Sequence, residues 1–305
     1  MTEISMKHLR YFEALALHGH FGRAADACAI SQPALSLQVK EFEEILGAPL
    51  VERGARQIRL TTFGGAVAIR ARDVLRAVEE LGEMARSSRD PFVGHFRLGV
   101  IPTIAPYLLS SVVKTLAERF PRMDLRPREA VTKTLIEDLV GGRLDVAVLA
   151  LPVSEPSLVE HALFDEEFVL VRPLGEAGAP APDPDALRAM RLLLLEEGHC
   201  FRDQAIAYCR IPSARARDTM EGSSLSTLVQ MVGAGLGVTL IPEMAVAIES
   251  RSAEVSIARL PSPPPMRTVG MVWRRSNPLA DRLTMIADVV REVGTERRGG
   301  PPSGG

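Results

Sequence analysis

The sequence predicts a small all-α domain, a linker helix and a larger α/β domain, on three observations. Residues 1–63 hold short helical stretches punctuated by capping signals. Residues 64–90 repeat apolar side chains at alternating spacings of four and three. From His95 onward, strand-like and helix-like stretches alternate, the pattern of a sheet crossed by helices.

Within the first domain, "FGRAADACAISQPALSLQVKEFEEILG" fits a helix-turn-helix. Ala24 and Ala25 are small enough for close helix approach, Ser31 suits an N-cap, and Pro33 suits the first turn of the helix that follows. Leu35, Val39 and Phe42 then form an apolar face, which leaves Gln32, Ser36 and Lys40 for solvent or a DNA groove. Spacing alone fits any small helical bundle equally well. Charge does not decide between them, because residues 1–63 carry seven Lys/Arg and seven Asp/Glu. Arg53, Arg56 and Arg59 do cluster in "VERGARQIRLT", where they can reach phosphates.

Gly64-Gly65 reads as a break that opens a helix to about Ser87. Along it Val67, Ala71, Val74, Val78, Leu81 and Ala85 form a coiled-coil seam. Such a stripe also suits a helix packed inside its own domain, but its place between two domains favours a dimerising linker. The strands of the second domain are "HFRLGVI", Met123–Glu129, "DVAVLAL", "FVLVRP", "RLLLLE", "GVTLIP" and "RTVGMVW", and their spacing predicts a parallel sheet. Helices are expected over Leu108–Phe120, from Lys133 to Gly141-Gly142, after Ser223 and from Leu279. "PLGEAGAPAPDPDAL" reads as a surface loop and residues 299–305 as a disordered tail.

Composition narrows the function. The chain has 305 residues, 46% of them hydrophobic, and a net charge of −2, with no run of 18 apolar residues and no cationic leader. A cytoplasmic protein without a membrane partner is expected, and the lack of a leader counts against a solute-binding protein. Three cysteines do not make a disulfide framework. His18, His20 and Cys28 are too sparse a set for zinc, so no metal is expected. Gly233, Gly235 and Gly237 form GxGxG, which ends a helix rather than binding a dinucleotide, and no cofactor is expected.

Two cysteines stand out in "LLLLEEGHCFRDQAIAYCR". Cys200 follows an apolar strand and a short turn, which places it near a helix N-terminus, where the macrodipole favours a thiolate. Arg202, and His199 when protonated, push the same way, while Asp203 opposes them. Cys209 shares a helical face with Phe201 and Ala205 and is expected to be buried. Nine helical rises separate the two by roughly 13–14 Å, whereas a disulfide needs Cα atoms within about 7 Å. A bridge between them therefore requires the helix to unwind. Inert core thiols are the other reading.

The run "RAADACAISQPALSLQVKEFEEILGAPLVERGARQIRLTTFG" resembles the amino-terminal domain of LysR-type transcriptional regulators. That resemblance implies a winged helix-turn-helix domain (1–63), a linker helix (64–90) and a periplasmic-binding-protein-like regulatory domain (91–298) of two Rossmann-like subdomains. Subdomain I would take 91–166 and 267–298, and subdomain II 167–266. Gln32, Pro33 and Ser36 would contact DNA, with Arg53 on the wing. Leu37 stands where arginine is frequent, and Cys28 where leucine is usual.

"EEGHCFRDQA", "GVIPTIAPYLL", "EAVTKTL", "GSSLSTLVQMVGAGLGVTLIP" and "RTVGMVWR" resemble, in order, the OxyR-type hydrogen peroxide sensors of the same family. By that likeness Cys200 is the peroxidatic cysteine and Cys209 its resolving partner. Thr103, Thr132, His199, Arg202, Asp203 and Arg267 then form the peroxide pocket or activate the thiolate. Phe201 replaces a more usual leucine, a change not expected to alter the chemistry. The expected partners are promoter DNA, hydrogen peroxide, a cellular dithiol reductant, RNA polymerase and further copies of the chain in a homodimer or homotetramer. The rival functions are a LysR-type regulator that binds a small metabolite between its subdomains, and a thiol peroxidase.

Overall fold

A computed structural model describes residues 3–52, 58–87, 94–211, 220–277 and 279–299. The chain divides into two compact units, Met1–Asp90 and Pro91–Gly305. Arg53, Arg56 and residues 300–305 lie outside the described residues.

The first unit packs α1 (Met6–His18), α2 (Phe21–Ala27), α3 (Gln32–Leu46) and α4 (Thr62–Ser87) around a core that includes Phe12, Leu15, Leu35, Phe42 and Leu50. Ser31 caps α3, its hydroxyl accepting from the Ala34 amide, and Pro33 sits in the first turn. A single antiparallel bridge, Val51 to Leu60, follows α3. Glu43 accepts from the amides of Leu50 and Val51, so this acid ties α3 to the bridge rather than facing solvent.

The Gly64-Gly65 break does not exist, because α4 begins at Thr62 and runs through both glycines. A β-carbon on Gly64 would lie 2.0 Å from the Leu50 carbonyl oxygen, so close packing explains the glycine. The apolar stripe of α4 divides along its length. Ala71 is buried in the unit's core and Val67 packs against it, whereas Val74, Val78 and Leu81 are 45–64% exposed.

The second unit corrects the expectation of a parallel sheet. Its seven-stranded sheet is mixed, in the order β2-β1-β3-β9-β4-β7, with β8 also on β4. The strands are β1 (Gly94–Val100), β2 (Met123–Glu129), β3 (Val146–Leu151), β4 (Leu158–Pro173), β7 (Thr239–Pro242), β8 (Val255–Arg259) and β9 (Met266–Arg274). Among the described residues of this sheet, only β1–β2 and β1–β3 are parallel; β9 and β4 are long antiparallel returns. Alternation of strands and helices could not show this, since it does not report strand direction.

β4 makes two lobes. Its first part, Leu158–Glu167, pairs with β9, and its last part, Phe168–Pro173, pairs with β7 and β8. One core forms beneath β1, β3 and β9 with α5 (Ala105–Arg119), α6 (Thr132–Val140) and α11 (Ala280–Gly299). The other forms where β4 pairs with β7, and includes α8 (Cys200–Tyr208) and α9 (Leu225–Gly233). A two-strand sheet of β5 (Leu194–Leu195) and β6 (Glu221–Gly222) flanks it. α7 (Pro184–Ala189) and α10 (Val246–Glu249) complete this lobe.

Candidate functional site

The turn Gly198-His199 leads from β5 into α8. Gly198 has φ +98°, a backbone region that L-residues rarely adopt, and His199 is the residue before the first helical turn. Cys200 is therefore the first residue of α8, at the positive end of the helix. It packs against the first lobe's core, although its helix belongs to the second lobe.

Cys200 lines a narrow pocket with Ile101, Pro102, Thr103, Val131, Thr132 and His199. The Thr132 hydroxyl is buried and has no hydrogen-bond partner there. A buried orphan hydroxyl is costly, and this one belongs to a residue of the pocket wall. Burial pushes the His199 pKa down, only partly offset by Glu196 and Glu129. Its imidazole is neutral near pH 7, so it supplies a hydrogen-bonding group rather than the positive charge the sequence suggested.

Of the six residues expected to form the pocket or activate the thiolate, Thr103, Thr132 and His199 line the pocket, while Arg202, Asp203 and Arg267 are not among its lining residues. Arg202 is buried and directed at the β5–β6 sheet, donating to the Leu195 carbonyl and pairing with Glu221 at 2.7 Å. Asp203 is exposed in the first turn of α8, where a carboxylate suits the positive helix end. Arg267 lies behind the pocket wall. It donates to Thr103 Oγ1 at 2.8 Å and to the Thr103 carbonyl at 3.1 Å, and it pairs with Glu166 at 2.8 Å.

Sequence reasoning missed Glu166. It faces Arg267 across the β4–β9 ladder, is 1% exposed, and accepts from the Met244 amide. The signal was present as strand alternation: Phe164, Glu166 and Phe168 share the buried face of β4. Tyr107 and Glu249 were missed too. Tyr107, on α5 of the first lobe, donates to Glu249 on α10 of the second, and Ser226 donates to the same oxygen.

Cys209 follows α8 at its other end as the C-cap and is wholly buried in the second core with Phe201 and Ala205. Desolvation pushes its pKa up to about 11. All three cysteines are free. Cys28, at the C-cap of α2, is half-buried, and its thiol is also raised by desolvation.

In the first unit α3 turns Pro33, Ser36, Leu37 and Lys40 to solvent on the face opposite Leu35, Val39 and Phe42. Gln32 is exposed beside them at the start of the helix, and Lys40 lies 3.5 Å from Glu44.

Residues 6–65 match the family described as "Bacterial regulatory helix-turn-helix protein, lysR family", and residues 89–295 match "LysR substrate binding domain". A "Probable hydrogen peroxide-inducible genes activator" of Streptomyces viridosporus is 46% identical over 95% of this chain and 94% of its own length. The "DNA-binding transcriptional dual regulator OxyR" of Escherichia coli K12 is 38% identical over 94% of this chain and 95% of its own. Among solved structures, a full-length OxyR variant from Pseudomonas aeruginosa matches with TM-score 0.77 at 34% identity, covering 95% of this chain and 96% of that one. A peroxide-bound OxyR mutant from Corynebacterium glutamicum matches with TM-score 0.66 at 33% identity, covering 97% and 94%. The chain belongs to the LysR family of bacterial regulators, within its OxyR-type branch of hydrogen peroxide-inducible gene activators.

Proposed function

We propose that this chain is a cytoplasmic DNA-binding transcription regulator switched by hydrogen peroxide through Cys200 and Cys209. The observation that carries the reading is the placing of the two thiols. Cys200 lines a narrow pocket at one end of a helix, and Cys209 is sealed in a core at the other.

Peroxide enters the pocket, where the hydroxyls of Thr103 and Thr132 and the imidazole of His199 are set to hold it. The Cys200 thiolate attacks one peroxide oxygen, the O–O bond breaks, and the departing hydroxide takes a proton to become water. Cys200 is left as a sulfenic acid. Cys209 then attacks that sulfur, the S–O bond breaks, a second water leaves and a disulfide forms. Two thiols lose two electrons and one peroxide gains them. A cellular dithiol reverses the change by thiol–disulfide exchange.

The second step cannot occur on the intact helix, because about 13–14 Å separates its two ends. α8 must unwind and Cys209 must leave its core, where burial keeps it protonated and inert. This refolding is the switch. Paired chains, joined through the exposed apolar part of α4 in a homodimer and further in a homotetramer, carry it to their recognition helices on promoter DNA. There Gln32, Pro33, Ser36 and Lys40 are offered to the groove, and Arg53 and Arg56 to the backbone. RNA polymerase is the downstream partner. The chain consumes peroxide once per cycle of reduction and is not a peroxidase.

The test is mass-spectrometric mapping of thiol states after brief peroxide exposure, with promoter footprinting on the same samples. Wild type should gain a Cys200–Cys209 disulfide as its footprint shifts. Cys200→Ser should lose both responses. An intact peroxide response in Cys200→Ser would sink this reading and favour a metabolite-responsive regulator.

A further inference from the structure

Phe201 is the residue after the reactive cysteine and is 3% exposed in the second lobe's core. Its ring meets that of Phe168 at 4.6 Å between centroids, tilted by 56°. The Arg267 guanidinium lies over the same ring, 5.7 Å from its centroid. Both neighbours stand at the junction of the lobes. Phe168 is the first residue of β4 to pair with β7 instead of β9, and Arg267 bonds Glu166 and the pocket residue Thr103. Phe201 thus lies between the thiol-bearing turn and the buried ion pair at the junction of the lobes.

We infer that Phe201 is a positioning residue that sets the barrier between the sulfenic acid and the disulfide. The inference rests on the proposed Cys200–Cys209 switch and assigns it a tuning element. Peroxide attack on Cys200, with loss of hydroxide, leaves α8 in place and leaves the ring undisturbed. The following step, attack by Cys209 on the Cys200 sulfenic acid with loss of water, needs α8 to open. Adjacent Cα atoms are about 3.8 Å apart, so Cys200 cannot travel far without drawing Phe201 off Phe168 and out from under Arg267. Leucine at this position would keep the apolar burial but lose the ring-specific contacts. Their usual strength corresponds to a change in opening on the order of tenfold.

The test compares wild type, Phe201→Leu and Phe168→Leu as full-length reduced proteins. In a Cys209→Ser background, trapping of the Cys200 sulfenic acid measures the first step. With Cys209 present, the rate of disulfide formation measures the second. Phe201→Leu should quicken the second step about tenfold and change the first less than about twofold, and Phe168→Leu should act in the same direction. Amide hydrogen exchange on reduced protein gives a readout independent of sulfur chemistry. α8 amides should exchange about tenfold faster in Phe201→Leu, with β1 and β3 unchanged. An unchanged or slower second step, an equal change in both steps, or faster exchange throughout the unit overturns the inference. If wild type forms no Cys200–Cys209 disulfide, the switch itself fails. In that case exchange confined to α8 still separates a local anchor from a general packing residue.

Discussion

Replacing Arg267 with methionine tests the contact that ties the pocket to the lobe junction. The guanidinium makes four polar contacts, two to Glu166, one to the Thr103 hydroxyl and one to the Thr103 carbonyl, and also lies over the Phe201 ring. Both members of the ion pair are at most 2% exposed. Methionine fills similar space but leaves the Glu166 carboxylate buried, with the Met244 amide as its remaining donor in the hydrogen-bond network. Removing one partner of such a pair costs about 3–5 kcal/mol, which for a domain of this size lowers Tm by roughly 6–20 °C. The double variant Arg267→Met/Glu166→Met removes both charges and should recover most of the loss. Trp273, the single tryptophan, is buried on the same strand and reports urea unfolding by fluorescence. A loss below about 1 kcal/mol for Arg267→Met, or a double variant less stable than the single, would refute the assignment of this pair as the junction's tie.

Three further outcomes follow from the geometry. His199 has a folded pKa below its ordinary value of 6.5, so the unfolded chain binds the extra proton first as pH falls. Its contribution to stability is complete above that ordinary value and is lost as pH falls through the lowered one; Tm against pH between 7 and 5 should be flatter in His199→Asn. At pH 8, brief treatment of the native reduced protein with iodoacetamide should spare Cys209, whose thiol is raised to about 11 and has no exposure, and peptide mapping should find it modified only after unfolding. Gly64→Ala should destabilise the helix-turn-helix unit by more than about 2 kcal/mol in thermal unfolding, because its β-carbon would meet a backbone carbonyl that cannot swing aside.

Local chemistry was legible in the sequence wherever one residue decides its own neighbourhood. Ser31 caps α3 as its side chain dictates, Leu35, Val39 and Phe42 fall on the buried face their spacing sets, and Cys209 is sealed beside Phe201 and Ala205. Long-range partners were not legible. That Arg267 would spend its donors on Glu166 and Thr103 instead of facing the thiol follows from the antiparallel return of β9 beside β4, which residue order does not encode locally. The same holds for Gly64, whose small size answers to Leu50 and not to a break in the helix.

The junction of the lobes explains why a change at one sulfur can reach the rest of the unit. Cys200 packs on the first core, yet its helix is rooted in the second through Phe201, Ala205 and Cys209. Tyr107 crosses in the opposite direction, from α5 of the first lobe into the second core, to bond Glu249. Packed cores do not deform by small continuous steps, because each side chain lost leaves a void that costs free energy. If Cys209 is drawn toward Cys200, the second core must give up a wholly buried side chain while the first keeps its grip on the thiol-bearing turn. The strain then falls on β4, the strand common to both lobes, and on the helices packed across it. Under the proposed switch, an oxidant acting on a single atom would thereby change how two lobes fit together, which a ligand resting in an open cleft achieves only by contacting both.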